Sequence, residues 1–405
     1  MLLVLKYGGA TLATPEHIQS VARHVADLYR QGHRLLIVVS AMGNTTNELI
    51  KLAHQVNSQP PLRELDMLLT TGERISASLL TMALAAENIP AVSFTGSQAG
   101  VLTSDHHVNA LIREIKPTRF QQEWQQKKVI VLAGFQGVNP ITKEITTLGR
   151  GGSDTSAVAM AAALGANHCE IRKEVDGIYS ADPRLVPRAV HLKDLSVLQL
   201  AEMTFWGAKV LHYRSAELAL LNQVPLWVGS ASDLERPVTK VLLTKIPTNF
   251  DHSEEGAKML EATKVLSVNS HIWVLRVYGL QDVFQFFQDL ESCQIARPQI
   301  LRMEKMNHHD QEVYLTGPTE ILNSIQAYLL KKQMSYESLS AVTATCSGLL
   351  DPDLLQSLSQ ALQQAHIQVF SFQFSALSLT AYVSEIDHSA AVQAFHSLVE
   401  KTSHA

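Results

Sequence analysis

Long apolar runs are missing from this 405-residue chain. Nothing approaches the roughly 20 consecutive apolar residues that a membrane-crossing helix requires, so no membrane partner is expected. Cysteine is scarce. Cys169, Cys293 and Cys346 lie far apart, are odd in number and form no CxxC pair. That excludes a disulfide framework and fits a reducing, cytoplasmic setting. Basic blocks are also absent. The net charge is −5 and the charges are scattered, which argues against nucleic acid or anionic membrane as the main partner. There are 17 histidines but no HExxH spacing, and the pairs at 106–107 and 308–309 do not make a metal-ligand pattern. The opening MLLVLKYGG has no basic n-region and reads as a buried first strand, not a signal peptide.

What is present is an ordinary globular composition, 46% apolar and 18% charged, in a chain too long for one core. Over the first 230 or so residues, strand-like and helix-like segments alternate. LLVLKY ends in Gly8-Gly9. PEHIQSVARHVADLYRQG has helical spacing between Pro15 and Gly32. RLLIVVSA, KKVIVLAGF and NHCEI read as buried strands, and GERISASLLTMALAAEN and SDTSAVAMAAALGA as helices. This order predicts an α/β layer fold. A polar, Pro-containing stretch near 233–262 reads as a connector. Beyond it, 263–338 and 339–405 each read as a small βαββαβ unit, and tandem units of this kind often pair sheet edges.

Several stretches in the first part carry chemistry. KYGG places Lys6 at a strand end before two glycines whose backbone can approach an anion, although a plain tight turn explains it equally well. GRGGSDTS puts three glycines, Arg150, Ser153 and Asp154 at a helix start. That is an anion-receptive cradle with a guanidinium fork, whereas simple helix capping is the bland alternative. TTGERIS places Glu73 early in a helix, where the helix dipole alone favours an acid. VVSAMGNTTNEL offers Ser40 and then Gly43-Asn44-Thr45-Thr46 as a hydroxyl-rich loop at a strand's carboxyl end, where α/β sheets hold ligands. GAKVLHYRSAELAL puts Lys209 early in a helical segment after Gly207. A second lysine suits phosphoryl transfer, and a solvated lysine is the ordinary reading. DGIYSADPR supplies a ring and a cation, Tyr179 and Arg184, in a turn-rich stretch.

Together KYGG, VVSAMG, TTGERIS, SFTGSQAGVLTS, AGFQG, TTLGRGGSDTSAVAMAAALGA, VDGIYSADPR and GAKVLH resemble the aspartate kinases of the amino-acid kinase family, in that family's order and over residues 1 to about 230. The tail resembles, more loosely, tandem ACT domains. The resemblance implies a three-layer α/β/α catalytic domain (1–232), a connector (233–262) and two ferredoxin-like ACT domains (263–338 and 339–405). It implies ATP-dependent phosphorylation of L-aspartate with Mg²⁺, the first step towards lysine, threonine, methionine and diaminopimelate, in a homo-oligomer joined through the ACT domains. It also implies roles. Lys6 and Lys209 face the phosphates, with Gly8 and Gly9 as backbone donors and Asp154 orienting the lysines or the metal. Tyr7, Ser40, Lys173, Glu174, Tyr179 and Arg184 belong to the ATP site. Arg150, Gly151, Gly152 and Ser153 hold the substrate carboxylates, and Thr45 and Glu73 complete the substrate site. No side chain is assigned as a metal ligand.

The chain also departs from the family pattern. Ala10 and Thr11 stand where the family has threonine and serine, Tyr7 where it has phenylalanine, and Tyr213 where it commonly has proline. Lys173-Glu174 replace a Thr-Asp pair, next to a further cation, Arg172. Three consequences are open: support of ATP binding, a changed nucleotide preference, or a filled pocket. The ACT loops GLQDVFQF and SGLLDPDLL lack the family's helix-opening turn, and Ala376 follows Ser375 where an acid is usual. Weak or absent lysine inhibition follows from that. The main alternative is a catalytically silent paralogue that binds metabolites or a partner subunit, and a less favoured one is a kinase for another amino acid or nucleotide.

Overall fold

The computed structural model describes residues 1–231, 238–243, 264–293, 295–305, 310–347 and 352–403. They fall into two compact units. Met1–Ile178, His191–Thr204 and Lys209–Asn249 make the first, and Tyr179–Val190, Phe205–Ala208 and Phe250–Ala405 the second.

The first unit runs β1 (Leu2–Tyr7), α1 (Pro15–Arg30), β2 (Arg34–Val39), α2 (Thr45–Val56), α3 (Leu62–Ala86), β3 (Ala91–Phe94), β4 (Val101–Thr103) and β5 (Ile112–Ile115). It continues α4 (Thr118–Gln125), β6 (Val129–Ala133), β7 (Gln136–Val138), β8 (Ile145–Thr147), α5 (Gly152–Leu164) and β9 (His168–Lys173). After β10 (Ile178–Tyr179) come β11 (His191–Leu192), β12 (Asp194–Ser196), α6 (Val197–Phe205), α7 (Tyr213–Leu221), β13 (Leu226–Ser230) and β14 (Thr239–Leu242). The main sheet has the order β12-β14-β13-β9-β1-β2-β6-β3. It is parallel from β13 to β3, with β14 antiparallel to β13.

Strands buried on both faces read as continuous apolar runs, and RLLIVV and VIVLA do so here. On one face Val21 and Val25 of α1 and Leu80 and Leu84 of α3 pack on Leu5, Ile37 and Val131. On the other face lies α5, whose small residues let it bury almost every side. Thr14 caps α1 by accepting from His17 N–H at 3.3 Å, and Pro15 opens the helix. A second, four-stranded sheet, β5-β4-β7-β8, carries the FTGSQAGVLTS and GFQG stretches.

The second unit holds β15 (Val265–Leu280), α8 (Val283–Ser292), β16 (Gln299–Lys305), β17 (Gln311–Thr316), α9 (Thr319–Lys332), β18 (Tyr336–Cys346), α10 (Pro352–Gln364), β19 (Val369–Phe374), β20 (Ser378–Val383) and α11 (His388–Ser403). Its sheet order, β16-β17-β15-β18-β20-β19, is palindromic in plan. The two βαββα halves meet along β15 and β18, which pair antiparallel from Val265↔Cys346 to Val277↔Tyr336. Phe286 and Leu322 cover one half, and Leu358 and Phe395 the other.

The alternating pattern of the first unit and the edge pairing of the second agree with expectation, but several boundaries do not. The two tail repeats share one continuous sheet and show three strands each among the described residues, not four. β15 is long enough to serve both halves. Residues 179–190 and 205–208, expected in the catalytic part, belong to the second unit, where Ala181 and Val186 join the core of Val268 and Phe395. Thr239–Leu242, expected in the connector, is a sheet strand beside β13. Residues 233–237 and 244–262 of that connector lie outside the described residues, as do residues 348–351 of the second ACT loop. The helix of TTGERIS begins ten residues earlier than read, at Leu62, because Leu65 and Leu69 continue its buried stripe. Thr45 and Thr46 are the first turn of α2, not a loop.

Strand alternation settles where the unusual cations go. Tyr7 and Arg172 are register partners on the α1 face, whereas Lys6 and Ile171 are partners on the α5 face. The Tyr7 hydroxyl lies 2.6 Å from His24 Nδ1. Arg172 pairs with Glu170 and donates to the Ser230 carbonyl at 2.7 Å. Both members of the ion pair are buried. Removing one partner of such a pair strands a charge. Glu170→Ala is therefore expected to lower stability by about 3–5 kcal/mol in urea unfolding, while the joint change Glu170→Leu with Arg172→Met recovers most of it.

Candidate active site

The carboxyl ends of β9, β1, β2 and β6 converge with the N-terminus of α5 in the first unit. β1 lies between β2 on one side and β9 on the other, so the chain's path diverges from it in both directions. That divergence opens a crevice at the strand ends.

Asp154, in the first turn of α5, is the centre of the crevice. Its Oδ1 is 2.6 Å from Lys6 Nζ and its Oδ2 accepts from Lys173 Nζ at 3.0 Å. Lys173 Nζ also donates to the Val210 carbonyl. Burial alone would raise the Asp154 carboxyl, but Lys173 and Lys6 outweigh it and hold the group down at about 2. Burial pulls the Lys6 ammonium down. Asp154 opposes that and Lys173 reinforces it. One carboxylate between two ammonium groups leaves a net positive cluster, which suits a polyanion.

The neighbouring loops are tightly seated. Gly151 has φ +71°, and a Cβ there would lie 2.2 Å from His212 Cβ, so only glycine fits. Gly72 on α3 approaches Ala41, where an added Cβ would stand 2.7 Å from the alanine's own. That approach brings Glu73, the twelfth residue of α3, to accept the Ala41 N–H at 3.1 Å through Oε1. Glu73 is therefore mid-helix, and the helix-terminus explanation for it falls away. Its Oε2 is buried without a hydrogen-bond partner among the described residues. Burial pushes its pKa up to about 7, against the Ala41 hydrogen bond.

The amino acid kinase family profile matches residues 1–230. The aspartokinase of Corynebacterium glutamicum is 36% identical over 98% of this chain and 95% of its own. That of Mycobacterium bovis is 51% identical over 60% of this chain and 57% of its own. The fold of Escherichia coli aspartokinase III, solved with aspartate and ADP in its R-state, superposes with a TM-score of 0.78 at 21% identity, over 98% of this chain and all of that one. The chain belongs to the aspartokinases of the amino acid kinase family.

In this aspartokinase the predicted residues divide into three groups. Lys6 and Lys173 each contact Asp154, and Gly151, Gly152 and Ser153 adjoin it on α5 and its approach. Ser40 and Thr45 flank Ala41, the partner of Glu73. Arg150 is exposed at the mouth of the α5 loop and Glu174 is exposed just past Lys173. Others stand apart from the expectation. Tyr7 is fully buried on the opposite face, so it cannot line a nucleotide pocket there. Gly8 commits its N–H to the Arg172 carbonyl at 3.2 Å, and of the pair the Gly9 N–H has no partner among the described residues. Lys209 is exposed in the stretch between α6 and α7, not in a helix. Tyr179 and Arg184 lie in the second unit, and Asp182 grips the Arg184 guanidinium at 3.0 and 2.6 Å.

Sequence reasoning missed Ala41, His212 and the Val210 carbonyl, whose roles are backbone contacts or packing and leave no side-chain signature. Among the described residues no three His, Cys, Asp or Glu groups cluster, and both Asp154 oxygens face ammonium groups. No helix of the described residues is long and apolar enough to cross a membrane.

Glu73 generates a pH test. Its folded pKa, near 7, exceeds the ordinary 4.5, so the folded state holds the proton more tightly than the unfolded chain. Stability from this group is present at low pH and lost as pH rises through 7. Glu73→Gln escapes the loss. It is expected to be more stable than the parent by on the order of 3 kcal/mol at about pH 8, with the difference vanishing below about pH 4.5, in denaturant titrations at both pH values.

Proposed function

We propose that this aspartokinase transfers the γ-phosphoryl group of ATP to the side-chain carboxylate of L-aspartate, giving 4-phospho-L-aspartate and ADP. The observation that carries the reading is the buried Asp154 held between Lys6 and Lys173 at the carboxyl ends of adjacent strands. The names of the corynebacterial and mycobacterial relatives support it, as does the aspartate and ADP in the Escherichia coli structure.

The nucleophile is the substrate's own carboxylate, ionised near neutral pH, so the reaction needs no general base. One carboxylate oxygen bonds to the γ-phosphorus as the bond to the bridging oxygen breaks, and ADP leaves with that electron pair. Catalysis reduces to alignment and to neutralising charge on the transferred group. In this reading Lys6 faces the phosphates and the Gly9 N–H adds a backbone donor, with Ser40 beside them. Arg150 and Ser153, on the Gly151-Gly152 turn, take the substrate carboxylates, and Thr45 closes that side. Glu73 Oε2, buried and unpartnered, receives the substrate ammonium, whose charge draws the carboxyl into its ionised form. Lys209 and Glu174 serve the nucleotide's outer contacts. Magnesium enters as part of the nucleotide substrate.

The product is an acyl phosphate, which suits the opening step of lysine, threonine, methionine and diaminopimelate synthesis in the cytoplasm. Self-association through the second unit is part of the same proposal.

Trapping the acyl phosphate with hydroxylamine tests the activity. The wild-type chain forms aspartyl hydroxamate from ATP and L-aspartate, and Lys6→Ala lowers kcat by about 10²–10³-fold. A folded protein that makes none would overturn the proposal in favour of a silent, ligand-binding paralogue. Regulation has its own test. Ser375 is tied into the β19–β20 turn, its Oγ 2.9 Å from Ser378 Oγ, and Ala376 offers no counter-charge for an ammonium. L-Lysine is expected to leave the rate unchanged, and sub-millimolar inhibition contradicts this.

A further inference from the structure

We propose that Asp66 is a positioning residue that sets the length of amino dicarboxylate the enzyme accepts. It does so by fixing the loop that carries Arg150 and Ser153 relative to Glu73. The inference rests on the reaction proposed above and names what makes that site select a short substrate.

Asp66 is fully buried on α3, and its hydrogen-bond partners come from two other segments. Its Oδ1 accepts from the Thr147 hydroxyl at 2.6 Å, at the end of β8. The Val108 N–H is shared by both carboxylate oxygens, at 3.0 and 3.1 Å. His107 Nδ1 lies 2.7 Å from Oδ2. Thr147 opens the run TLGRGGS, which carries Arg150 and ends in Ser153. The segment held through Val108 also presses on that run. Gly149 has φ +76°, and a Cβ there would lie 3.0 Å from Asn109 Oδ1 and 3.1 Å from the Val108 carbonyl. Asn109 Oδ1 is in turn held by Arg214 Nη1 at 2.6 Å, and Ala110 N–H donates to the Thr147 carbonyl at 2.8 Å. Asp66 thus grips both the strand that enters the glycine turn and the segment packed beside it.

Glu73 stands on the same face of the same helix. Asp66, Thr70, Glu73 and Ala77 recur at helical spacing and are all buried. Asp66 and Glu73 are therefore about two turns apart, roughly 10 Å along the axis. The helix between them is pinned, because the Thr70 carbonyl accepts from Gln136 Nε2 at 3.2 Å and Glu73 accepts the Ala41 N–H at 3.1 Å. One rigid helix thus carries the receiver of the substrate ammonium directly and the carboxylate-binding turn through Asp66. A substrate with a further methylene between its charged ends has to displace one of the two.

The test compares wild type, Thr147→Val, Asp66→Asn and Asp66→Ala. The readouts are hydroxamate formation with L-aspartate and with L-glutamate, and calorimetric affinity for each acid and for ATP. Circular dichroism and urea unfolding establish that each variant is folded. Thr147→Val is close to isosteric and deletes the hydroxyl that reaches Asp66. It is expected to raise KM for aspartate by about 10-fold and to leave ATP affinity within about 2-fold of wild type. It also lowers the preference for aspartate over glutamate, as the ratio of kcat/KM values, by about 10-fold. Asp66→Asn keeps an acceptor for Thr147 and Val108 and retains most of the preference, whereas Asp66→Ala loses up to about 100-fold of it. A purely structural Asp66 would alter unfolding but leave KM and the preference at wild-type values in folded Thr147→Val, and that result overturns the proposal. So does an equal loss of ATP and aspartate affinity, which would mean a general loosening of the unit. If wild type binds aspartate yet makes no acyl phosphate, the proposed reaction fails, and the ratio of the two acids' affinities in wild type and Thr147→Val then decides the role of Asp66. A wild type that binds neither acid overturns both.

Discussion

One buried carboxylate organises the catalytic unit. Asp154 lies 4% exposed between two ammonium groups, and a charge so placed is tolerated only when paired. That requirement fixes much else. β1 and β9 have to be adjacent to deliver Lys6 and Lys173 to the same point. α5 has to begin at Gly151, whose left-handed backbone turns the chain into the helix with His212 packed against it. The nearly all-small face of α5 then lets the helix lie close enough to the sheet for its first-turn acid to reach both strands. Stability and chemistry share the same pairing, since a positive cluster that holds its acid also attracts phosphate.

The parity of a strand is the second constraint. On β1 and β9 successive side chains face opposite layers, so neighbours in sequence do unrelated work. Lys6 and Lys173 join Asp154, whereas Tyr7 and Arg172 enter a buried polar layer with His24, Glu170 and the Ser230 carbonyl. Burial, with the Arg172 charge adding to it, holds His24 down to about 4, so it stays a neutral partner for the tyrosine hydroxyl. The departures from the family pattern at Tyr7 and Arg172 fall in one layer and are register partners. A change at one is therefore read through the other.

The second unit follows a different logic. Two halves with the same plan would each leave an exposed sheet edge, and pairing β15 with β18 removes both at once. The segment after Ile178 contributes Ala181 and Val186 to this unit's core, and Val268 N–H donates to the Ser180 carbonyl at 2.7 Å. Apolar contacts, not chain order, decide membership, so a boundary drawn at a composition change near 232 divides the chain differently from the packing.

By itself the sequence determined the alternating α/β order, the tandem repeat of the tail, the glycine-rich approach to α5, and Lys6, Glu73 and Asp154 as residues of interest. Each of these has a local cause: apolar periodicity, backbone freedom at glycine, or a charged residue where an apolar pattern predicts burial. Tertiary structure alone decided which cations meet Asp154, because that depends on strand order in the sheet, with β9 beside β1 though 160 or so residues separate them. It also decided that Tyr7 faces away, that Glu73 is mid-helix with one oxygen free, that Gly8 has no N–H to offer, and that Lys209 lies outside the cluster. These are facts of register, parity and long-range hydrogen bonding, and no window of neighbouring residues contains them.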